Sequence, residues 1–155
     1  MEHPKQPLVF ISYSHLDQKW LNGLLDHLKP LGLQVNSWND RKIEPGGDWR
    51  AEIEAALREA KVAVLLVSRT YLASDFIMKE ELPFLVRAAE QGTLTILWVP
   101  LTPTVYKHTE IAKYQAVHNP AEPLGGLDKT HRNQALVAIC DEILAATMKR
   151  THGAA

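Results

Sequence analysis

KVAVLLVSRTYLASDFIMKEELP, residues 61–83, decides the fold. Its first part, VAVLLV (62–67), is six apolar residues in a row. Unbroken apolar character over so short a run suits a strand buried on both faces, as in a parallel sheet. Its second part sets Glu80 and Glu81 beside Phe76, Ile77 and Met78, with Pro83 just beyond. Proline lacks an N–H and is tolerated in the first turn of a helix. A helix is therefore expected to begin close to Pro83, with Glu80 at or just before its start, near the carboxyl edge of the sheet. A carboxylate at a helix N-terminus stays ionised readily. Glu81 lies about 100° round a helix from Glu80, so one of the two faces a cleft at most. Glu81 is assigned to solvent.

Working outward, the same alternation of segments recurs. LVFIS (8–12) and LTILWV (94–99) are further unbroken apolar runs, and LQVNSW (33–38) alternates as a half-exposed strand does. Amphipathic helices lie between them. Trp20, Leu21, Leu24, Leu25 and Leu28 share one face. Ser14 with Asp17 offers a capping start, and Pro30 and Gly32 an end. Asp48 caps a second helix with Trp49, Ile53, Ala56, Leu57 and Ala60 as its stripe. A last helix from about Asn133 turns Leu136, Ile139, Cys140, Ile143 and Met148 inward. A short fifth strand is expected near Gln115 to Val117. The order predicts a flavodoxin-like open doubly wound sheet of five parallel strands with helices on both faces. The expected limits are an N-terminal tail over 1–7, one domain over 8–148 and a C-terminal tail or linker start over 149–155.

The totals narrow the function classes. A chain of 155 residues with 46% apolar residues buries a real core. A net charge of −1 gives no reason to expect nucleic acid or an anionic membrane as partner. Seven histidines are scattered without metal-site spacing, so no metal is expected. The single cysteine, Cys140, excludes an internal disulfide and fits a reducing, cytoplasmic setting. MEHPKQP has no long apolar stretch of a signal peptide, and no run approaches a membrane span. No GxGxxG follows the first strand, and no P-loop or GxSxG occurs. FISYSH offers hydroxyls and a histidine where a phospho-accepting receiver domain needs acidic residues.

In such sheets ligands bind at the carboxyl ends of the strands, where strand order switches. Three segments converge there: VFISYSH (9–15), DRKIEPGGDW (40–49) and SRTYLASDFIMKEEL (68–82). Their order and spacing resemble the three boxes of the Toll/interleukin-1 receptor (TIR) domain family, over roughly residues 8–146. The likeness is to its bacterial and plant-type, NAD⁺-cleaving branch, because the third box is complete. Phe76 stands where that family more often has Trp, and Ile77 where it often has Cys.

The resemblance implies an NAD⁺ glycohydrolase. Such an enzyme breaks the nicotinamide–ribose bond to give nicotinamide and ADP-ribose or its cyclic form, with NAD⁺ as substrate and no cofactor. It places the catalytic carboxylate on Glu80, four residues after Phe76. The chemistry is compatible with a lone carboxylate. Nicotinamide leaves a cationic nucleotide as a neutral ring and needs no general acid. The charge that builds on the ribose is what needs stabilising. Ligand contacts are implied for Ser12, Tyr13, Ser14, Asp40, Ile43, Trp49 and Phe76. From the residues alone, Ser14 fits a helix cap as well as a ligand contact, and Trp49 fits core as well as ring stacking. Asp40 and Arg41 also fit a role in shaping the loop. Gly46 and Gly47 suit a loop that moves.

The resemblance also implies activation by self-assembly with other TIR domains, as a dimer or an open-ended filament, a fused or associated sensor, and a place in bacterial anti-phage immunity. Two other readings stay open. One is a non-enzymatic module that recruits TIR domains for signalling. The other is a nucleoside-transferase-like enzyme with Glu80 as nucleophile.

Overall fold

The computed structural model describes residues 7–41 and 48–149. Five strands form one parallel sheet: β1 (Leu8–Tyr13), β2 (Gln34–Asn39), β3 (Ala60–Val67), β4 (Thr95–Pro100) and β5 (Gln115–Ala116). Their spatial order is β2-β1-β3-β4-β5. The order reverses at β1, between β2 and β3, so the crevice at the carboxyl end of β1 is the switch point. Tyr13 pairs with Asn39 and Ser12 with Leu65, which brings the ends of these three strands level. The predicted doubly wound architecture is what is observed.

The two faces follow from the period of two along each strand. Val9, Ile11 and Tyr13 of β1 and Val62, Val64 and Leu66 of β3 point to one side. There α1 (Gln18–Leu28) and α5 (Lys129–Lys149) cover them with Leu21, Leu24, Leu28, Leu136, Ile139 and Ile143. Phe10, Ala63, Leu65 and Val67 point to the other side. That face is closed by α2 (Trp49–Glu59), α3 (Arg69–Ala73) and α4 (Leu82–Glu90) through Ile53, Tyr71, Leu82 and Leu85. Among the described residues no helix is long and apolar enough to cross a membrane.

The helix ends have local causes. Ser14 Oγ accepts from the Leu16 N–H at 3.3 Å, so Ser14 acts as a cap. Gly32 closes the turn after α1 with φ of 72°, a left-handed conformation that costs glycine nothing. Asp48 Oδ1 accepts from the Ala51 N–H at 3.2 Å. The last helix begins four residues earlier than expected, at Lys129, because Asp128 caps it by accepting from the His131 N–H at 2.9 Å. Its inward row ends on Thr147, which is buried, and Met148 is 62% exposed rather than turned inward.

The largest departure concerns Pro83. Helical geometry starts at Asp75 and runs without a break to Glu90. Pro83 therefore lies well inside a helical stretch and not at its start. A single π turn, Ile77–Glu81, makes this possible. The Leu82 N–H reaches back five residues to the Ile77 carbonyl. A proline normally clashes with the carbonyl four residues before it. The wider turn just before Pro83 relieves that crowding, and it inserts one residue into the helical register.

Two glycines give opposite expectations for stability. A Cβ on Gly125 would stand 2.9 Å from the Leu101 carbonyl oxygen, whose partner is the Gly125 N–H at 2.8 Å. Gly125→Ala is expected to lower unfolding stability by about 1–3 kcal/mol. Gly23, inside α1, has open space where its Cβ would go. Gly23→Ala is expected to raise stability by about 0.5–1 kcal/mol. Urea titrations of the two variants check both signs.

Candidate functional site

The exits of β1, β2 and β3 and the π turn enclose one polar cluster: Ser12, His15, Asp40, Tyr71, Ser74 and Glu81. Ser12 is the last residue of β1 on the α2–α4 side, and it is fully buried. Its Oγ lies 2.9 Å from the Tyr71 hydroxyl, itself fully buried, which α3 holds over the strand end. Burial first, and then the charge of Glu81, push the Tyr71 phenol well above its ordinary pKa. Ser68 orders this short helix by accepting from the Tyr71 N–H at 3.1 Å. Ser68 and Thr70 both donate to Asp17 Oδ2, tying the exit of β3 to the turn after β1.

Glu81 is the centre of the cluster. It is 0% exposed, and neither carboxylate oxygen has a hydrogen-bond partner among the described residues. Burial, the largest effect, and the negative charge of Asp40 push its pKa up to about 8, while the nearby Ser12 hydroxyl pulls the other way. Buried in this way, Glu81 holds its proton at pH 7. Asp40 behaves oppositely. Burial would raise its pKa, but hydrogen bonds from the His15 backbone and ring and from the Ser74 side chain outweigh this and hold it below the usual range. The His15 N–H donates to Asp40 Oδ1 at 3.0 Å, and His15 Nδ1 donates to the same oxygen at 2.7 Å. Ser74 Oγ also accepts from the Ile77 N–H at 3.3 Å, which joins Asp40 to the π turn.

These positions reverse one expectation. Glu81, assigned to solvent, is sealed in. Glu80, assigned to the cleft, has a side chain 44% exposed, with Oε2 at 3.7 Å from the Arg50 guanidinium. The physical reason is the π turn. The extra residue carries position 81 to the inward face shared by Ile77 and Leu85 and leaves position 80 at the rim.

The other expected contacts divide. Ser12 and Asp40 enter the cluster. Ser14 is buried and caps its turn. Tyr13 does not reach the cleft, because the strand's alternation sends it to the α1–α5 side. There its hydroxyl donates to Gln18 Oε1 at 3.0 Å and accepts from Asn39 Nδ2 at 2.9 Å. Trp49 and Phe76 meet edge to face, with ring centroids 5.0 Å apart, and Phe84 lies 6.0 Å from Trp49. They form a half-buried aromatic wall between α2 and the π turn. Ile43, Gly46 and Gly47 lie outside the described residues. Tyr71 and Ser74 are part of the third box, yet nothing in their residue types singled them out as neighbours of the acid. His15 was visible only as the end of the first box. A groove of about 330 Å³ lined by Met78, Pro83, Val86, Arg87, Glu110 and Lys113 contains none of the cluster. Glu81 has no opening to solvent in the single chain.

An acid whose pKa is raised on folding stabilises least at high pH. Below the ordinary value of 4.5 both folded and unfolded chains hold the proton. Between 4.5 and about 8 only the folded chain holds it, so this contribution falls as pH rises and is flat above 8. Glu81→Gln is expected to gain stability relative to wild type between pH 5 and pH 8, by about 3–5 kcal/mol. Chemical denaturation of both proteins at the two pH values checks this.

Comparison with known proteins adds the family. A family model described as TIR domain matches residues 9–124. A curated relative, y4lF of Sinorhizobium fredii, is 28% identical over 120 residues. That alignment covers 76% of this chain, and the chain spans 37% of the relative's length. Among solved structures, the TIR domains of the activated Roq1 resistosome align at 20% identity and a TM-score of 0.49, over 88% of this chain and 84% of that one. The TIR domain of the Toll-related receptor TRR-2 from Hydra magnipapillata aligns at 18% identity and a TM-score of 0.45, over 70% and 82%. A metazoan TIR-STING receptor from C. gigas aligns at 17% and 0.49, over 90% and 42%.

Proposed function

The chain belongs to the TIR domain family, and on that premise we propose that it is an NAD⁺ glycohydrolase whose working carboxylate is Glu81. The observation that carries this reading is a wholly buried carboxyl group with both oxygens unpartnered, at the switch point of the sheet. A buried polar atom without a partner costs roughly 1–3 kcal/mol, and such a cost marks a place where a ligand completes the bonding.

The chemistry follows from charge. A cationic nicotinamide ring and the ribose to which it is joined bring positive charge to a neutral acid. That charge favours loss of the proton from Glu81, and the resulting carboxylate stabilises the oxocarbenium-like sugar as the bond to the ring nitrogen breaks. Nicotinamide leaves with the bonding electron pair as a neutral base. Water then adds to the sugar carbon to give ADP-ribose, or an adenine nitrogen adds to give the cyclic form. The Ser12 hydroxyl, near Glu81 and 2.9 Å from the Tyr71 hydroxyl, is a donor that the ionised carboxylate can use. Trp49 and Phe76 supply flat apolar surface for a ring.

Because Glu81 is shut off from solvent in the single chain, the reading requires an opening step. Self-assembly through further TIR domains supplies one, as a dimer or an open-ended filament. A sensor domain in a longer protein and a role in anti-phage immunity complete the proposal. A module that only recruits other TIR domains has no use for a buried unpartnered acid, which is why the enzymatic reading is preferred.

The test is nicotinamide release from NAD⁺ at high protein concentration. Wild type is expected to release it, Glu81→Gln to lose at least about a hundredfold, and Glu80→Gln to keep most of it. The reverse result for the two variants would return the role to Glu80, and no release from assembled wild type removes the enzyme. The deprotonated acid is the active form, so kcat/KM is expected to rise with pH as Glu81 loses its proton.

A further inference from the structure

Two hydroxyl groups and one carboxyl group are sealed together beside the end of β1. Ser12, Tyr71 and Glu81 are each 0% exposed. They come from three separate elements: Ser12 from β1, Tyr71 from α3 and Glu81 from the π turn. One hydrogen bond is formed among them, the 2.9 Å pair of Ser12 Oγ and the Tyr71 hydroxyl.

Counting hydrogens decides which way that bond runs. Each hydroxyl carries one hydrogen. Among the described residues neither hydroxyl has a second hydrogen-bond partner. Whichever of the two donates, the hydrogen of the other must go elsewhere, and a buried donor left unmade is costly. If Ser12 donates, the phenol hydrogen is stranded, because Glu81 acts on Tyr71 through its charge and not through a hydrogen bond. If Tyr71 donates, the hydrogen left over belongs to Ser12, and Ser12 is the hydroxyl that draws the Glu81 pKa down. Only this second arrangement leaves nothing stranded once Glu81 is ionised. The carboxylate then accepts from Ser12, and Ser12 accepts from Tyr71. Tyr71 is itself held in place from behind. Its N–H donates to Ser68 Oγ at 3.1 Å, and Ser68 is bonded to Asp17.

We infer that Tyr71 is a positioning residue for the NAD⁺ reaction: by donating to Ser12 Oγ it turns the Ser12 hydrogen towards Glu81, so that a donor is ready for the carboxylate as it forms. The inference rests on the reading of Glu81 given above and adds to it a residue that acts through another. A hydroxyl that accepts one hydrogen bond donates a stronger one. Burial keeps the phenol protonated, so the Tyr71 hydrogen is there at every working pH. The other charged group that acts on Glu81 is Asp40 at the exit of β2. On the same turn Glu80 pairs with Arg50 at the rim, and Lys79 pairs with Asp75 in solvent. All of these stay in place when the phenol oxygen is removed.

The test is steady-state nicotinamide release from NAD⁺ across pH, at high protein concentration. The proteins are wild type, Tyr71→Phe, Ser12→Ala, the double variant and Glu81→Gln. Phenylalanine keeps the ring and removes only the oxygen, and thermal melting confirms that each variant is folded. Tyr71→Phe is expected to lower kcat about five- to tenfold with KM within about twofold. Its rise of kcat/KM is expected to move to higher pH, because a carboxylate that loses a donor holds its proton more tightly. The double variant is expected to be no slower than Ser12→Ala alone, since Tyr71 acts through Ser12. A 3-fluorotyrosine at position 71 keeps the hydroxyl and makes it a stronger donor, so the rise is expected to move to lower pH; it carries the test should Tyr71→Phe fail to fold. An unmoved pH profile, kcat within about twofold of wild type, or losses that multiply in the double variant overturn the inference and leave Glu81 its role. Undiminished release by Glu81→Gln, or none from wild type, is the separate failure of the Glu81 reading and removes this inference with it.

Discussion

A carboxyl group buried without a partner is the constraint around which this domain is arranged. Burying an ionised carboxylate in apolar surroundings is so costly that the group takes up a proton instead. Glu81 does so, and the result is a fully buried neutral acid, with neither oxygen hydrogen-bonded among the described residues. Its neighbours are bonded to one another independently of the acid. Ser12 and Tyr71 are fully buried and bonded to each other, and Ser68, Thr70 and Asp17 lock the turn that carries Tyr71. The surrounding core tolerates the unpartnered acid because two full apolar layers stabilise the sheet on which it stands.

The π turn is what places the acid there. An α-helix continued through Pro83 would meet the proline ring with the Lys79 carbonyl. Widening one turn avoids that contact and shifts the register by one residue. The shift exchanges the fates of two adjacent glutamates. One goes to the rim, where Arg50 pairs with it in solvent and contributes little. The other goes to the interior, where burial above all, and then the charge of Asp40, keep it protonated. Extra residues in helices concentrate at functional sites, and this one converts an ordinary helix charge into a stored acid.

Asp40 and Glu81 also show how two like groups a short way apart acquire different states. Hydrogen bonds hold Asp40 below the usual carboxylate range, whereas burial pushes Glu81 up to about 8. Environments that push two carboxyl groups apart in this way commonly divide roles between them.

The sequence by itself determined the layers. Unbroken apolar runs such as VAVLLV and LVFIS can be buried only on both faces, and the amphipathic stripes of Leu21, Leu24 and Leu28 or Ile53 and Ala56 can cover only one side of a helix. Strand order, helix sides and the convergence of three loops follow from those periods and from the spacing of the boxes. Ser12 and Asp40 were legible because residues at strand ends have nowhere else to go. Tyr13 lies on the α1–α5 side because the alternation that buries Ile11 also buries the residue two places on. The choice between Glu80 and Glu81 belonged to the tertiary structure alone. Proline at 83 is consistent with either a helix start or a widened turn. Only the packing of Ile77 and Leu85 against the sheet selects the second, because it continues the helix through the proline instead of ending it there.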